Sequence, residues 1–202
     1  MHSLILNSMR PIHVISKRNF ETLFRWLTPV FNQVNKERIA KWGPDLACAE
    51  WLMRNGAAVR WLGSSDYVNN YNALFNAPSS TSSPLSEVDS KHFISGVDAT
   101  DSSISQEGFP YFTDCKHIEE VKLVNCKYIG NGALSNLDLL KNSLKYLEII
   151  NCPRVTDEGL INLRRLLNLK NLKLSNLPSV EDKLSIEQKL RLSLENCNIS
   201  ID

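Results

Sequence analysis

The chain has 202 residues and a net charge of +1 at pH 7, a length that suits one or two domains. No stretch approaches the run of about 18 apolar residues that a spanning helix needs. Residues 21–202 carry 20 basic against 22 acidic side chains, which argues against the basic face of a nucleic-acid binder.

Residues 1–20 stand apart. They hold Arg10, Lys17 and Arg18, three serines, two histidines and no acid, the composition of a mitochondrial transit peptide. Leu4-Ile5-Leu6 is too short for a secretory core. Removal on import would leave a mature chain beginning near Phe20 to Leu23. The 5 cysteines, an odd number with no C-x-x-C pair, fit a reducing compartment.

Residues 21–75 read as a helical N-terminal capping domain. Thr28-Pro29 reads as N-cap and first helical position of a helix carrying Val30, Phe31, Val34 and Ile39. Gly43-Pro44-Asp45 starts another, with Leu46, Ala49, Trp51 and Leu52 as apolar positions, stopped at Asn55-Gly56. All 4 tryptophans fall in this block. Residues 76–94, opening Asn-Ala-Pro-Ser-Ser-Thr-Ser-Ser-Pro, read as a polar linker or long loop.

Residues 95–202 repeat. Val121-Lys122-Leu123-Val124-Asn125-Cys126, Leu147-Glu148-Ile149-Ile150-Asn151-Cys152, Leu172-Lys173-Leu174-Ser175-Asn176-Leu177 and Leu192-Ser193-Leu194-Glu195-Asn196-Cys197 share one pattern, with a weaker copy at Val97-Asp98-Ala99-Thr100-Asp101-Ser102. A period in this range means a solenoid. The alternating Leu-x-Leu is a short strand with its apolar residues inward. The following Asn serves a turn, and the Cys is a small buried hydrophobe. Ile104, Ile129 and Val155 precede a return helix, with Asn131 or Asp157 as its N-cap, and Leu160, Leu163 and Leu166-Leu167 follow at helical spacing. One unit alone buries too little to offset its backbone entropy, so four to five units form one cooperative block.

The unit resembles the cysteine-containing leucine-rich repeats. The expected fold is therefore α/β: a leucine-rich repeat solenoid of short parallel strands plus helices, with a helical N-terminal cap over its open end. Strand positions that point outward form a candidate binding face: Lys122, Val124, Tyr146, Glu148, Ile150, Asn171 and Lys173, with Asp98, Thr100, Glu120 and Ser175.

Trp26-Leu27, Val30-Phe31-Asn32, Gly43-Pro44-Asp45, Glu50-Trp51-Leu52, Gly56-Ala57, Val59-Arg60, Asp98-Ala99-Thr100-Asp101-Ser102, Cys126-Lys127-Tyr128-Ile129 and Val155-Thr156-Asp157 follow in order. Together they resemble the mitochondrial ATP synthase subunit s (coupling factor B) family from about residue 24 to residue 195. The resemblance implies a peripheral protein on the matrix side of the mitochondrial inner membrane. Its partner would be the ATP synthase membrane sector, and its role support of proton-coupled ATP synthesis. It further implies a divalent cation, Mg2+, between cap and first repeat, at positions matching Gly56 and Thr100. A helix end offers carbonyl oxygens to such an ion. The family's Cys-x-Cys reads Val124-Asn125-Cys126 here, so one thiol of a dithiol is missing.

No catalytic constellation accompanies these motifs: no Walker loop, no G-x-S-x-G and no H-E-x-x-H. The chain is read as a non-enzyme. Two other functions fit the same fold. One is an assembly factor for the distal membrane arm of respiratory complex I; the other is a ubiquitin-ligase-type leucine-rich repeat adaptor, against which the presequence and the missing F-box argue.

Overall fold

The protein is described as a computed structural model, covering residues 26–74 and 92–202. The expected presequence at 1–20 and the stretch 76–91 of the expected linker lie outside the described residues. Ile94, placed at the linker's end by sequence, is the first residue of a strand.

Three helices open the described chain: α1 over 26–32, α2 Lys36–Trp42 and α3 Pro44–Arg54. The single helix expected from Thr28 through Ile39 is broken at 33–35. Asn35 causes the break, because its side chain accepts the Arg38 amide at 3.0 Å and starts α2 afresh. Gly43 follows α2 with φ of 79° and hands over to Pro44 at the first position of α3, where a missing N–H costs nothing. Asn55 ends α3 and Gly56, at φ 87°, turns the chain, as the Asn-Gly pair predicts.

The helical reading of 21–75 fails after Gly56. β1, Ala58–Trp61, and β2, Tyr67–Val68, form an antiparallel pair, and β1 runs antiparallel to β3, Ile94–Asp98. Val59 is fully buried while Ala58 and Arg60 are not. That alternation is a strand's and was hidden by its brevity.

From β3 onward the sheet is parallel: β4 Glu120–Val124, β5 Tyr146–Ile150, β6 Asn171–Ser175 and β7 Asn198–Ile201. The whole is one seven-stranded sheet of order β2-β1-β3-β4-β5-β6-β7. Between the strands run the short 3₁₀ segment Gln106–Phe112 and the helices α4 Asn131–Asn136, α5 Asp157–Ile161 and α6 Lys183–Ser193. The architecture is thus α/β with a mostly parallel sheet.

The register joins Val97, Val121, Leu147, Leu172 and Ile199 in one buried row. The first four are the positions expected from sequence. The last is not: the repeat copy placed at Leu192 belongs to α6, and Leu192 is 79% exposed. Leu190 and Leu194 are buried at helical spacing, whereas Ile199 and Ile201 alternate as a strand requires. Cys197 therefore precedes its strand, unlike Cys126 and Cys152, which follow theirs and are fully buried. Leu167, read with the helical apolar positions, is 71% exposed.

Side chains tie each unit to the next. Asp101, Asn125, Asn151 and Asn176 all take positive φ, between 50° and 57°, a conformation Asn and Asp tolerate best among residues with a side chain. Asn151 donates to Asn125 Oδ1 at 2.8 Å, and Asn125 to Asp101 Oδ1 at 3.0 Å. Cys126 Sγ donates to the Ala99 carbonyl at 3.0 Å. The expected N-caps act across units instead of on their own helices. Asn131 accepts the Thr156 amide at 3.1 Å, and Asp157 accepts the Glu181 and Asp182 amides at 2.9 Å each, while Gly130 and Thr156 occupy the cap positions.

The three N-terminal helices are locked to the first parallel unit by Trp51. Its ring stacks on Tyr111 at 5.5 Å and meets Phe109 and Phe112 edge-on.

Candidate functional site

The sheet presents one face to the helices and the other outward. Rows on the outward face follow from the register. Arg60, Gly96, Glu120, Tyr146, Asn171 and Asn198 form one row; Ala58, Asp98, Lys122, Glu148, Lys173 and Ser200 form the next. Val124, Ile150 and Ser175 stand in register beyond them. Every one of the expected face residues is partly or fully exposed, and the structure brings Lys122, Val124, Tyr146, Glu148, Ile150, Asn171 and Lys173 together on this face.

Their charges are matched internally. Glu120 pairs with Arg60 at 2.7 Å and with Lys122 at 3.2 Å; Glu148 pairs with Lys173 at 2.9 Å. Partial burial works against the Glu120 carboxylate, but Lys122 above all, with Tyr67 and Arg60, holds its pKa below the usual value. The Lys173 ammonium is held above its usual value by the Glu148 carboxylate that accepts its hydrogen bond. The result is a neutral mosaic of fixed charges beside the half-buried aliphatic pair Val124–Ile150. Such a surface matches a protein of complementary pattern better than a polyanion.

Two members escaped the sequence reading. Arg60 and Tyr67 are neighbours across the antiparallel pair, and the Arg60 guanidinium and the Lys122 ammonium each lie 5.2 Å from the Tyr67 ring centre. Burial, and then the Glu120 carboxylate, push the Tyr67 hydroxyl pKa up. Gly96 makes this possible: a Cβ there would come 2.6 Å from the Tyr67 hydroxyl and 3.1 Å from Arg60 Nη2. The signal that would have found Arg60 is Ala58-Val59-Arg60-Trp61 directly after the Asn-Gly stop.

Gly56 and Thr100 lie on segments that touch. Ser103 N donates to the Asn55 carbonyl at 2.9 Å, and a Cβ on Gly56 would be 3.9 Å from Ser102 Cα. The Thr100 hydroxyl donates to Asp98 Oδ1 at 2.6 Å, as does the Thr100 amide at 3.0 Å. The oxygen atoms left to a hard cation there are backbone carbonyls: among the described residues neither the Gly56 nor the Thr100 carbonyl accepts a backbone hydrogen bond. No group of three His, Cys, Asp or Glu residues fit to hold a metal occurs among the described residues. A cation at this point would thus depend on carbonyls and water, a donor set suited to Mg2+ and to no softer metal.

A polar hollow of about 520 Å³ lies among α1, α2 and α3 and is lined by Gln33, Asn35, Arg38, Glu50, Arg54 and Tyr111 among others. Glu50 at its base is buried and answered by Arg38 at 3.0 Å and Arg54 at 3.5 Å. The Tyr71 hydroxyl donates to the same Glu50 carboxylate at 3.2 Å, which completes a network of ion pairs and hydrogen bonds around it.

No family model matches the chain. Curated relatives do. ATP synthase subunit s, mitochondrial, of Rattus norvegicus is 43% identical over 152 residues, 74% of this chain and 71% of the relative. The Homo sapiens protein of the same name is 41% identical over 150 residues, 73% of this chain and 70% of the relative. That of Bos taurus is 39% identical over 158 residues, 77% of this chain and 74% of the relative.

Proposed function

The chain belongs to the mitochondrial ATP synthase subunit s family, and on that premise we propose that it is a non-catalytic accessory protein of the mitochondrial ATP synthase. In this reading it sits at the matrix side of the inner membrane and binds the enzyme's membrane sector through the outward face of its sheet. It thereby supports proton-coupled ATP synthesis. The observation that carries the reading is the face itself: charges on β1, β4, β5 and β6 held by ion pairs at 2.7–3.2 Å, next to Tyr146, Val124 and Ile150. Preorganised polar groups of this kind favour protein recognition because little ordering remains to be done on binding.

The stack from β3 to β7 is read as leucine-rich repeats. The buried Leu-x-Leu rows, the inter-unit Asn ladder and the Cys126 and Cys152 positions support that reading. A Mg2+ ion held by the Gly56 and Thr100 carbonyls belongs to the same proposal; its support is that, among the described residues, neither carbonyl accepts a backbone hydrogen bond. A rise in unfolding midpoint with Mg2+, absent with Na+ and abolished by a chelator, tests it.

The partner assignment is tested by affinity capture from gently solubilised mitochondria. The wild-type chain should retain ATP synthase membrane-sector subunits. The triple reversal Lys122→Glu, Glu148→Lys, Lys173→Glu should not, although it keeps a charge pair between positions 148 and 173 and leaves the buried rows untouched. Undiminished capture by a folded triple variant removes this face from the interface. Capture of complex I intermediates in place of ATP synthase replaces the partner.

A further inference from the structure

The outer, helical side of the molecule carries a patch that the proposed function does not use. Leu139, Leu167 and Leu192, three of the exposed leucines of this side, stand outside the core there. Leu192 is 79%, Leu167 71% and Leu139 44% exposed. Each lies beside a fully placed core residue of its own unit: Leu190 is buried while Leu192 is not, Leu166 while Leu167 is not, Leu140 while Leu139 is not. Packing therefore does not require them to be leucine.

Leu167 lines an open depression together with Lys141, Asn142, Arg164, Arg165 and Ser193, and Leu139 and Leu192 are sequence neighbours of its lining residues Asp138 and Ser193. Unit stacking fixes this arrangement, because Asn168 Nδ2 donates to the carbonyls of Lys141 at 3.2 Å and Asn142 at 3.3 Å. Arg164 and Arg165 are exposed, and neither forms an ion pair among the described residues. The nearest charge of opposite sign within the lining, Asp138, already faces Lys141 at 3.8 Å. Among the other described arginines, Arg38, Arg54, Arg60 and Arg191 are paired with carboxylates, and Arg154 lies over the Tyr128 ring at 5.9 Å.

We infer that this patch rests on an anionic phospholipid surface. Two guanidinium groups without counter-charges, with a lysine beside them, offer fork-shaped donors to phosphodiester groups. Leu167 beside these cations can enter the headgroup boundary, with Leu139 and Leu192 exposed nearby in the chain, while long basic side chains reach the phosphates. A protein partner would call for a continuous apolar centre with a polar rim; here the depression sets a single leucine, Leu167, against Lys141, Arg164 and Arg165. The patch is on the helical side and the proposed protein-binding face is on the strand side, so the chain could touch membrane and enzyme at once. The inference takes from the proposed function only its place beside a membrane.

The test is flotation of the full chain with vesicles of phosphatidylcholine and of phosphatidylcholine containing cardiolipin. Binding to the cardiolipin vesicles, weakened by salt, and weak binding to phosphatidylcholine alone are expected. Arg164→Ala with Arg165→Ala should weaken partition about thirtyfold, at about 1 kcal/mol for each basic side chain near an anionic surface. Leu167→Ser with Leu192→Ser should weaken it about tenfold or more. All four positions are exposed, so unchanged melting of the variants is expected and separates lost binding from lost fold. Equal binding to both vesicles overturns the inference, as does undiminished binding of both double variants, which would assign the affinity to the basic residues 1–20. Loss of ATP synthase capture in the arginine variant without any vesicle binding would instead make the patch a protein contact, and also overturns it. Failure of the strand-face triple reversal to affect capture leaves the vesicle result standing, so the two proposals fail separately.

Discussion

The indole of Trp51 donates to Asn32 Oδ1 at 2.8 Å inside the core. The same Asn32 oxygen accepts the Ser105 amide at 3.0 Å, and its Nδ2 donates to the carbonyls of Thr28 at 2.9 Å and Ser103 at 3.1 Å. One fully buried amide thus joins α1, α3 and the loop after β3. Every arm of that amide is engaged, the condition under which a buried polar group specifies an arrangement instead of weakening it.

Asn32→Ala should accordingly destabilise by about 3 kcal/mol, because it orphans two buried donors at about 1–3 kcal/mol each. The denaturant midpoint measures this. A change below about 0.5 kcal/mol, the usual range for an unimportant surface position, would show that the joint is not made.

Gly108→Ala tests the other side of Trp51. A Cβ at 108 would overlap the indole ring, and the ring has no room to yield between Phe109, Tyr111 and Phe112. The expected cost is about 1–3 kcal/mol from overpacking, with a shift in the tryptophan emission of the folded state.

Leu147→Ala deletes a fully buried residue of β5 and should cost about 2–5 kcal/mol. Glu148→Ala, one residue along and facing outward, should leave the midpoint close to that of the parent, because its partner Lys173 is solvent-exposed. Equal losses for the pair would contradict the register.

At Asn151, with φ of 50°, the backbone and not the side chain sets the cost. Asn151→Ala should be worse than Asn151→Gly by about 1 kcal/mol, since only glycine takes this conformation without penalty. Thermal unfolding of the two variants decides; a reversed order would make the hydrogen bond to Asn125 the dominant contribution.

Asp157 provides a pH-dependent tie. Accepting the Glu181 and Asp182 amides lowers its carboxyl pKa below the ordinary value of 3.8. At neutral pH it is charged in both folded and unfolded chains, and the tie contributes fully. As pH falls below the ordinary value, the unfolded chain takes up the proton first, so stability drops until the folded value is passed. Asp157→Asn should flatten the fall of the unfolding midpoint below about pH 4 relative to the parent. An unchanged acid slope would show that other carboxylates carry it.

Periodicity alone determined most of the parallel sheet. Val97, Val121, Leu147 and Leu172 recur at fixed spacing and share one buried row, because a strand that buries one face must alternate and a stack must repeat. The expected outward residues followed by parity, and the α3 boundaries followed from Gly43-Pro44 and Asn55-Gly56. Three things were decided only by tertiary structure. The final strand moved from Leu192 to Asn198–Ile201, since Leu190, Leu192 and Leu194 fit a two-residue and a helical pattern equally and only packing on α5 chooses. β1 and β2 joined the sheet edge because β3 offered them an unpaired side, which a four-residue segment cannot announce. Asn131 and Asp157 turned to the next unit instead of capping their own helices, because a neighbour about 25 residues away in sequence lies one strand spacing, about 4.8 Å, away in space.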